Sequence, residues 1–285
     1  MKARHPKPRT GGTYLLARHL PRWGHPHYGH GVSLVERASR SGVIWSGTTT
    51  ASVRPSPYVA HHALLSIARS HDPLLQLPAE DLLLTWLDTL SQWGYHSVST
   101  SALAPIAATA LHDIGFSTAQ DLVLLEHHHR DTDNFIGVLP SLRGRWPGSR
   151  FPSQPVITQI LYLDCAAFGN ERQMDLITLR EALCATEQSR VFVSYVDKLL
   201  VGFVIVGVSD THGFIQRLAV DPNCRNSGVG TRLVQTALAW IQAKDCVSTV
   251  VNTEASNVVA LHVYENFGFA PMNYRLAVLE KNLMP

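Results

Sequence analysis

The chain has 285 residues, 45% of them hydrophobic and 16% charged, with a formal net charge of +2. That is enough for two ordinary domains with buried cores, it argues against a disordered chain, and it leaves no basic stripe of the kind that binds nucleic acid. No apolar run reaches a membrane span, the basic start Met1–Lys7 lacks the apolar core of a signal peptide, and Cys165, Cys184, Cys224 and Cys246 show no Cys-x-x-Cys spacing, so a cytoplasmic protein with free thiols is expected.

Strands are expected at 13–17, 32–36, 42–46 and 63–68. A helix follows over Glu80–Trp93, with Leu83, Leu84, Leu87 and Leu90 along one face. A second helix over Ala104–Ile114 closes at Gly115-Phe116, and Leu122–Leu125 is the last strand of this half. His25, His27 and His30 have no carboxylate or cysteine beside them. His127, His128 and His129 follow an apolar strand and are expected at its exposed end. No metal site is therefore expected.

The same order returns later in the chain. Gly115-Phe116 answers Gly268-Phe269, and at the same offset Val98–Ala102 answers Val251–Ala255. His71-Asp-Pro73 answers Val220-Asp-Pro222, and Leu122–Glu126 answers Leu276–Glu280 after a slip of one residue. The expected organisation is two copies of one fold, 1–138 and 156–285, joined by a Pro-, Gly- and Arg-rich linker over 139–155. The second copy opens with helices over Ile157–Phe168 and around Leu176–Ala185. A hairpin follows, Val191–Val196 and Leu200–Val208, turning at Asp197-Lys198.

The segment from Phe214 to Ala243 concentrates the chemistry. Phe214–Val220 has the apolar, partly β-branched character of a buried strand, Asp221-Pro222-Asn223 breaks it, and a helix runs from Thr231 with Leu233, Val234, Ala237, Leu238 and Ile241 on one face. Between them lies Arg225-Asn226-Ser227-Gly228-Val229-Gly230. Its glycines let backbone approach a ligand closely, and free N–H groups at the new helix suit a pyrophosphate. Downstream, a strand over Val247–Thr253 leads to a helix in which Asn257 and Tyr264, close to two turns apart, share a face left thin by Ala260.

Taken together, Arg-x-x-Gly-x-Gly at 225–230 and Asn-x-x-Ala-x-x-x-Tyr-x-x-x-Gly-Phe at 257–269 resemble the GNAT superfamily of N-acetyltransferases. The resemblance implies an α/β (α+β) fold in each copy, a twisted mixed and mainly antiparallel sheet flanked by helices. It implies acetyl-CoA as acetyl donor and a primary amine, of a small molecule or a peptide, as acceptor. The pyrophosphate would lie on Arg225, Asn226, Ser227, Gly228, Val229, Gly230 and Thr231. The pantetheine arm would lie along Leu218, Ala219 and Val220, with Asn257 beside it. Tyr264 matches the family's tyrosine near the thioester sulfur, and Glu254, at a strand end, is the candidate general base. Ribosomal-protein alanine acetyltransferases carry an acid where this chain has Asn252, which favours a small-molecule amine over a peptide N-terminus. Two copies with a degraded first half also resemble mycothiol synthase, and a non-catalytic acetyl-CoA sensor is the alternative outside enzymes. In the first copy Leu111 stands for Tyr264 and Ala104 for Asn257, and Glu80 and Asp81 open the helix with negative charge, so a single cofactor site is expected. A monomer or a homodimer fits equally.

Overall fold

The computed structural model describes residues 41–46, 49–130, 133–135, 141–142, 152–170 and 172–283. The strands expected at 13–17 and 32–36, and His25, His27 and His30, lie outside them. In chain order the elements are β1 (Gly42–Ser46), β2 (Thr50–Pro55), β3 (His62–Ile67), α1 (Glu80–Gln92), β4 (Ser97–Thr100), α2 (Pro105–Asp113), β5 (Ser117–His128), β6 (Ser141–Leu142), α3 (Gln154–Phe168), α4 (Leu176–Cys184), β7 (Gln188–Val196), β8 (Leu199–Ser209), β9 (His212–Val220), α5 (Val229–Gln242), β10 (Ser248–Glu254), α6 (Val258–Asn266) and β11 (Ala270–Asn282). Among the described residues no helix is long and apolar enough to cross a membrane, and the four cysteines are free.

Two compact units divide the chain. One runs up to Leu122 and adds Tyr274 onward, and the other is Val123–Asn273. Most of β11 falls in the first of these units. There it pairs antiparallel with β4, Glu280 opposite Ser99, and drops Leu279 into the core. Alternating polarity fixes which face of a strand is buried but does not name its neighbour, so the sequence assigned β11 to its own copy. Within the linker, Ser141–Leu142 pairs with β7, and α3 begins at Gln154.

In the first unit the strand order is β1-β2-β3-β4-β11-β5. Its core gathers Val53, Leu65, Val98 and Leu111 under α1. That helix buries Leu83, Trp86, Leu87 and Leu90, while Leu84, expected on the same face, is exposed. The polar alternation of Thr50–Pro55 hides a strand that the sequence reading missed.

In the second unit the order is β5-β10-β9-β8-β7-β6; β10 runs parallel to β9, while β9 with β8, β8 with β7 and β7 with β6 pair antiparallel. Asp197 and Lys198 both take positive φ, giving the tight turn whose twist suits a two-residue hairpin. Every residue of β8 from Leu200 to Val208 is buried, so it is covered on both faces, with α5 and α3 against it. Gly202 lets α5 come close: a Cβ there would lie 2.7 Å from Val229 Cγ1 and 2.9 Å from Leu233 Cδ1. Gly202→Ala should therefore destabilise the protein by about 1–3 kcal/mol, read as a lower urea midpoint with unchanged slope.

Local correspondence between the two halves extends to individual hydrogen bonds. Phe116 N–H donates to Leu111 O at 3.1 Å after α2, and Phe269 N–H donates to Tyr264 O at 3.1 Å after α6, each across a glycine of positive φ. Ala104 and Asn257 are the N-caps of those two helices. Asp72 and Asp221 each accept a backbone N–H two residues on, from Leu74 and Asn223.

Candidate active site

The site opens where two strands part. The ladder between β9 and β10 runs only from His212 opposite Ser248 to Ile215 opposite Val251. A bulge shifts β9 against β8 at this point, and β8 then stays paired as far as Gly202 opposite Val220. Leu218, Ala219 and Val220 thus keep one edge bonded to β8 and turn the other towards a gap. Strand N–H and C=O groups alternate between edges, so this gap offers unpaired backbone donors and acceptors to an extended ligand.

At the end of β9, Asp221 accepts the Asn223 N–H at 2.8 Å, and a short turn over Pro222–Cys224 follows. Ser227 Oγ donates to Cys224 O at 2.5 Å. Gly228 then takes φ +77° as the N-cap of α5, without any side-chain cap. The first turn of α5 holds no acidic residue, and Arg225 and Arg232 stand beside it in solvent. Uncapped N–H groups, the helix dipole and two guanidinium groups make an anion site. A Cβ at Gly230 would touch only Val220 Cγ2, at 3.6 Å, an ordinary contact. Packing of the protein itself does not require a glycine at that helical position, where glycine costs about 1 kcal/mol. Arg225, Asn226, Ser227, Gly228 and Thr231 are exposed. Val229 is 3% exposed and can offer only its backbone.

Across the gap lie β10 and α6. Tyr264 is 4% exposed, packs against Phe269 with ring centroids 5.5 Å apart, and belongs to the core with Ile215 and Val251. Burial pushes its phenol well above the usual tyrosine range, so the hydroxyl keeps its proton at physiological pH. Asn257 has a local structural part to play. It caps α6, its side-chain oxygen accepting the Ala260 N–H at 3.2 Å while its amide donates to Thr253 Oγ1 at 3.2 Å.

Glu254 ends β10, ion-paired to Arg172 and accepting a 3.4 Å bond from Ser256 Oγ. Arg172 belongs to a network the sequence reading missed. Asp164 of α3 is fully buried and receives Arg217 Nε at 2.8 Å, Arg217 Nη2 at 2.9 Å and the Met174 N–H at 2.6 Å. Arg217 also donates to Arg172 O at 2.8 Å and lies over the Phe168 ring at 3.5 Å. The signal was present in the sequence: an arginine inside the apolar strand 214–220 and an aspartate inside the apolar helix 157–168 each need a partner when buried.

Residues 157–269 match the acetyltransferase (GNAT) family model. The chain's fold matches that of a tandem GNAT protein from the clavulanic acid biosynthesis pathway, with TM-score 0.58 and 14% identity over 96% of this chain and 95% of that one. It also matches a GCN5-related N-acetyltransferase from Kribbella flavida, with TM-score 0.52 and 13% identity over 85% and 89%. The expected mixed, mainly antiparallel sheet flanked by helices is thus the GNAT fold. Among individual relatives, N-alpha-acetyltransferase 30 of Homo sapiens is 38% identical over 84 residues, covering 27% of this chain and 23% of that protein. The Saccharomyces cerevisiae protein of the same name is 37% identical over 60 residues, covering 21% and 34%. The chain spans a quarter to a third of these relatives' lengths.

Proposed function

We propose that the protein is an N-acetyltransferase that moves an acetyl group from acetyl-CoA to a primary amine. The observation that carries this reading is the parting of β9 from β10 directly before the uncapped, glycine-gated start of α5. Asn226–Thr231 would hold the pyrophosphate through backbone N–H groups, with Arg225 adding charge. The open edge of Leu218–Val220 would hold the pantetheine arm. Acetyl-CoA supplies the acetyl group as a thioester. Glu254 takes the amine proton directly or through a water, and Tyr264 hydrogen-bonds the negative charge that develops on the leaving sulfur. Calorimetry of Gly228→Glu tests the site. Like charges about 4 Å apart near a protein surface repel by roughly 4 kcal/mol, so acetyl-CoA affinity should fall by up to about a thousandfold. Unchanged affinity would sink the reading.

Asn252, in place of an acid, favours a small-molecule amine as acceptor, as in the mycothiol synthase-like arrangement. A peptide N-terminus is the second reading, favoured by the similarity to N-alpha-acetyltransferase 30. Product assays on a panel of small amines and short peptides separate them, and tight cofactor binding without product would point instead to a sensor. We take the first half as a copy that has lost the cofactor site. Glu80 and Asp81 occupy the first turn of α1, and Leu111 is packed in the core where the second half has Tyr264. Titration with acetyl-CoA should accordingly give one site per chain.

A further inference from the structure

The end of β5 carries a second cluster of reactive side chains that the transferase reading does not use. His127 and His129 alternate on the strand and so share a face. Asp133 comes back to them through a turn in which Arg130 N–H donates to its Oδ2 at 2.9 Å and Asp133 N–H donates to Arg130 O at 3.0 Å. One candidate ligand atom from each of the three lies within 4.8 Å of the others. The sequence reading put these histidines at an exposed strand end with no carboxylate nearby. Instead His127 is 7% exposed, its ring bounded by Phe135 at 5.6 Å and Phe269 at 5.5 Å, with Nε2 3.1 Å from Asp133 Oδ2. His128 points elsewhere, is exposed, and pairs with Glu126 at 3.5 Å.

His129 supplies an independent observation. Its Nε2 lies 2.8 Å from the hydroxyl of the fully buried Thr249, which leaves Nδ1 buried with no hydrogen-bond partner. A buried polar atom left unsatisfied costs about 1–3 kcal/mol, which a bound cation would offset. We propose that His127, His129 and Asp133 bind a divalent transition-metal ion of the zinc class, with Thr249 fixing the His129 ring.

Imidazole nitrogen and carboxylate oxygen are zinc ligands, and three protein ligands leave the fourth tetrahedral position to water. When Nε2–H donates to Thr249, Nδ1 keeps the lone pair a metal needs, the outer hydrogen bond usual for a ligating histidine. Ligand atoms about 2.0–2.2 Å from the ion stand closer together than the present cluster, so the three side chains draw inward on binding. Phe269 touches both His127 and Tyr264, each at a centroid distance of 5.5 Å. The ion would therefore brace the turn after α6 as well as the end of β5.

The full-length protein, stripped with a chelator, is titrated with Zn²⁺ by calorimetry and with Co²⁺ by visible absorption. Wild type is expected to show one tight site and a tetrahedral Co²⁺ spectrum. His129→Gln and Asp133→Asn should each abolish that site. Thr249→Val should weaken it about 10–100-fold, and it tests the proposal even where a ligand variant folds poorly. Absence of a tight site in wild type overturns the proposal. So does binding unchanged in both His129→Gln and Thr249→Val, which would assign the ion to other histidines of the chain.

Discussion

Replacing Tyr264 by Phe should lower turnover by about 10²–10⁴-fold while acetyl-CoA affinity stays near the wild-type value. Phe retains the ring that packs against Phe269, so the core is preserved and only the hydroxyl is lost. That hydroxyl is a poor full donor to a thiolate, since tyrosine ordinarily titrates near 10 and a thiol near 8.5. Burial widens the gap by holding the phenol still more firmly in its neutral form. On the proposed mechanism, Tyr264 would act chiefly by hydrogen-bonding the developing charge. The sign of the shift carries a second expectation. A phenol held above its unfolded value contributes stability that is complete below about pH 10 and is lost as pH rises through the raised folded value. The wild-type rate should accordingly show no loss of this group between pH 7 and 9. Steady-state kinetics of both proteins across that range, with calorimetry for the cofactor, checks both points. Wild-type turnover in Tyr264→Phe would remove Tyr264 from the chemistry.

The parts of this site that were legible in the sequence are those made by local rules. A strand, a break at Asp221-Pro222 and a glycine-bearing helix start occupy one continuous stretch, and each follows from side-chain periodicity or backbone freedom. Asn257 shows the limit of spacing. Its distance from Tyr264 suits a shared face, but an Asn just before an apolar run is also a cap, and the bond it accepts from Ala260 N–H is a part that spacing did not reveal. Partners far apart in the chain were not legible at all. Asp164 meets Arg217, and β11 lies beside β4, through tertiary packing that no local pattern encodes. The burial of His127 belongs to the same group: it depends on Phe135 and Phe269 arriving from other elements.

Asp164→Asn should be the most destabilising single polar change in the second unit, by about 3–5 kcal/mol, against a total stability of roughly 5–15 kcal/mol. The substitution keeps size and shape but leaves the Arg217 guanidinium without its anion, and it weakens the acceptor that holds the Met174 N–H. The Arg217 side chain is 23% exposed, so water partly relieves it, which places the effect at the lower end of that range. Urea unfolding measures the loss. Asp164→Leu combined with Arg217→Met should recover much of it, because replacing a buried pair by apolar groups of similar volume is often neutral. Stability and activity then part company in an informative way. Arg217 is the residue before Leu218 on the open edge of β9, and its bond to Arg172 O helps to hold the side chain that pairs with Glu254. The double variant, restored in stability, should still show a raised KM for the amine with acetyl-CoA affinity little changed. Wild-type KM in a stable double variant would confine the Asp164–Arg217 pair to holding α3 on the sheet.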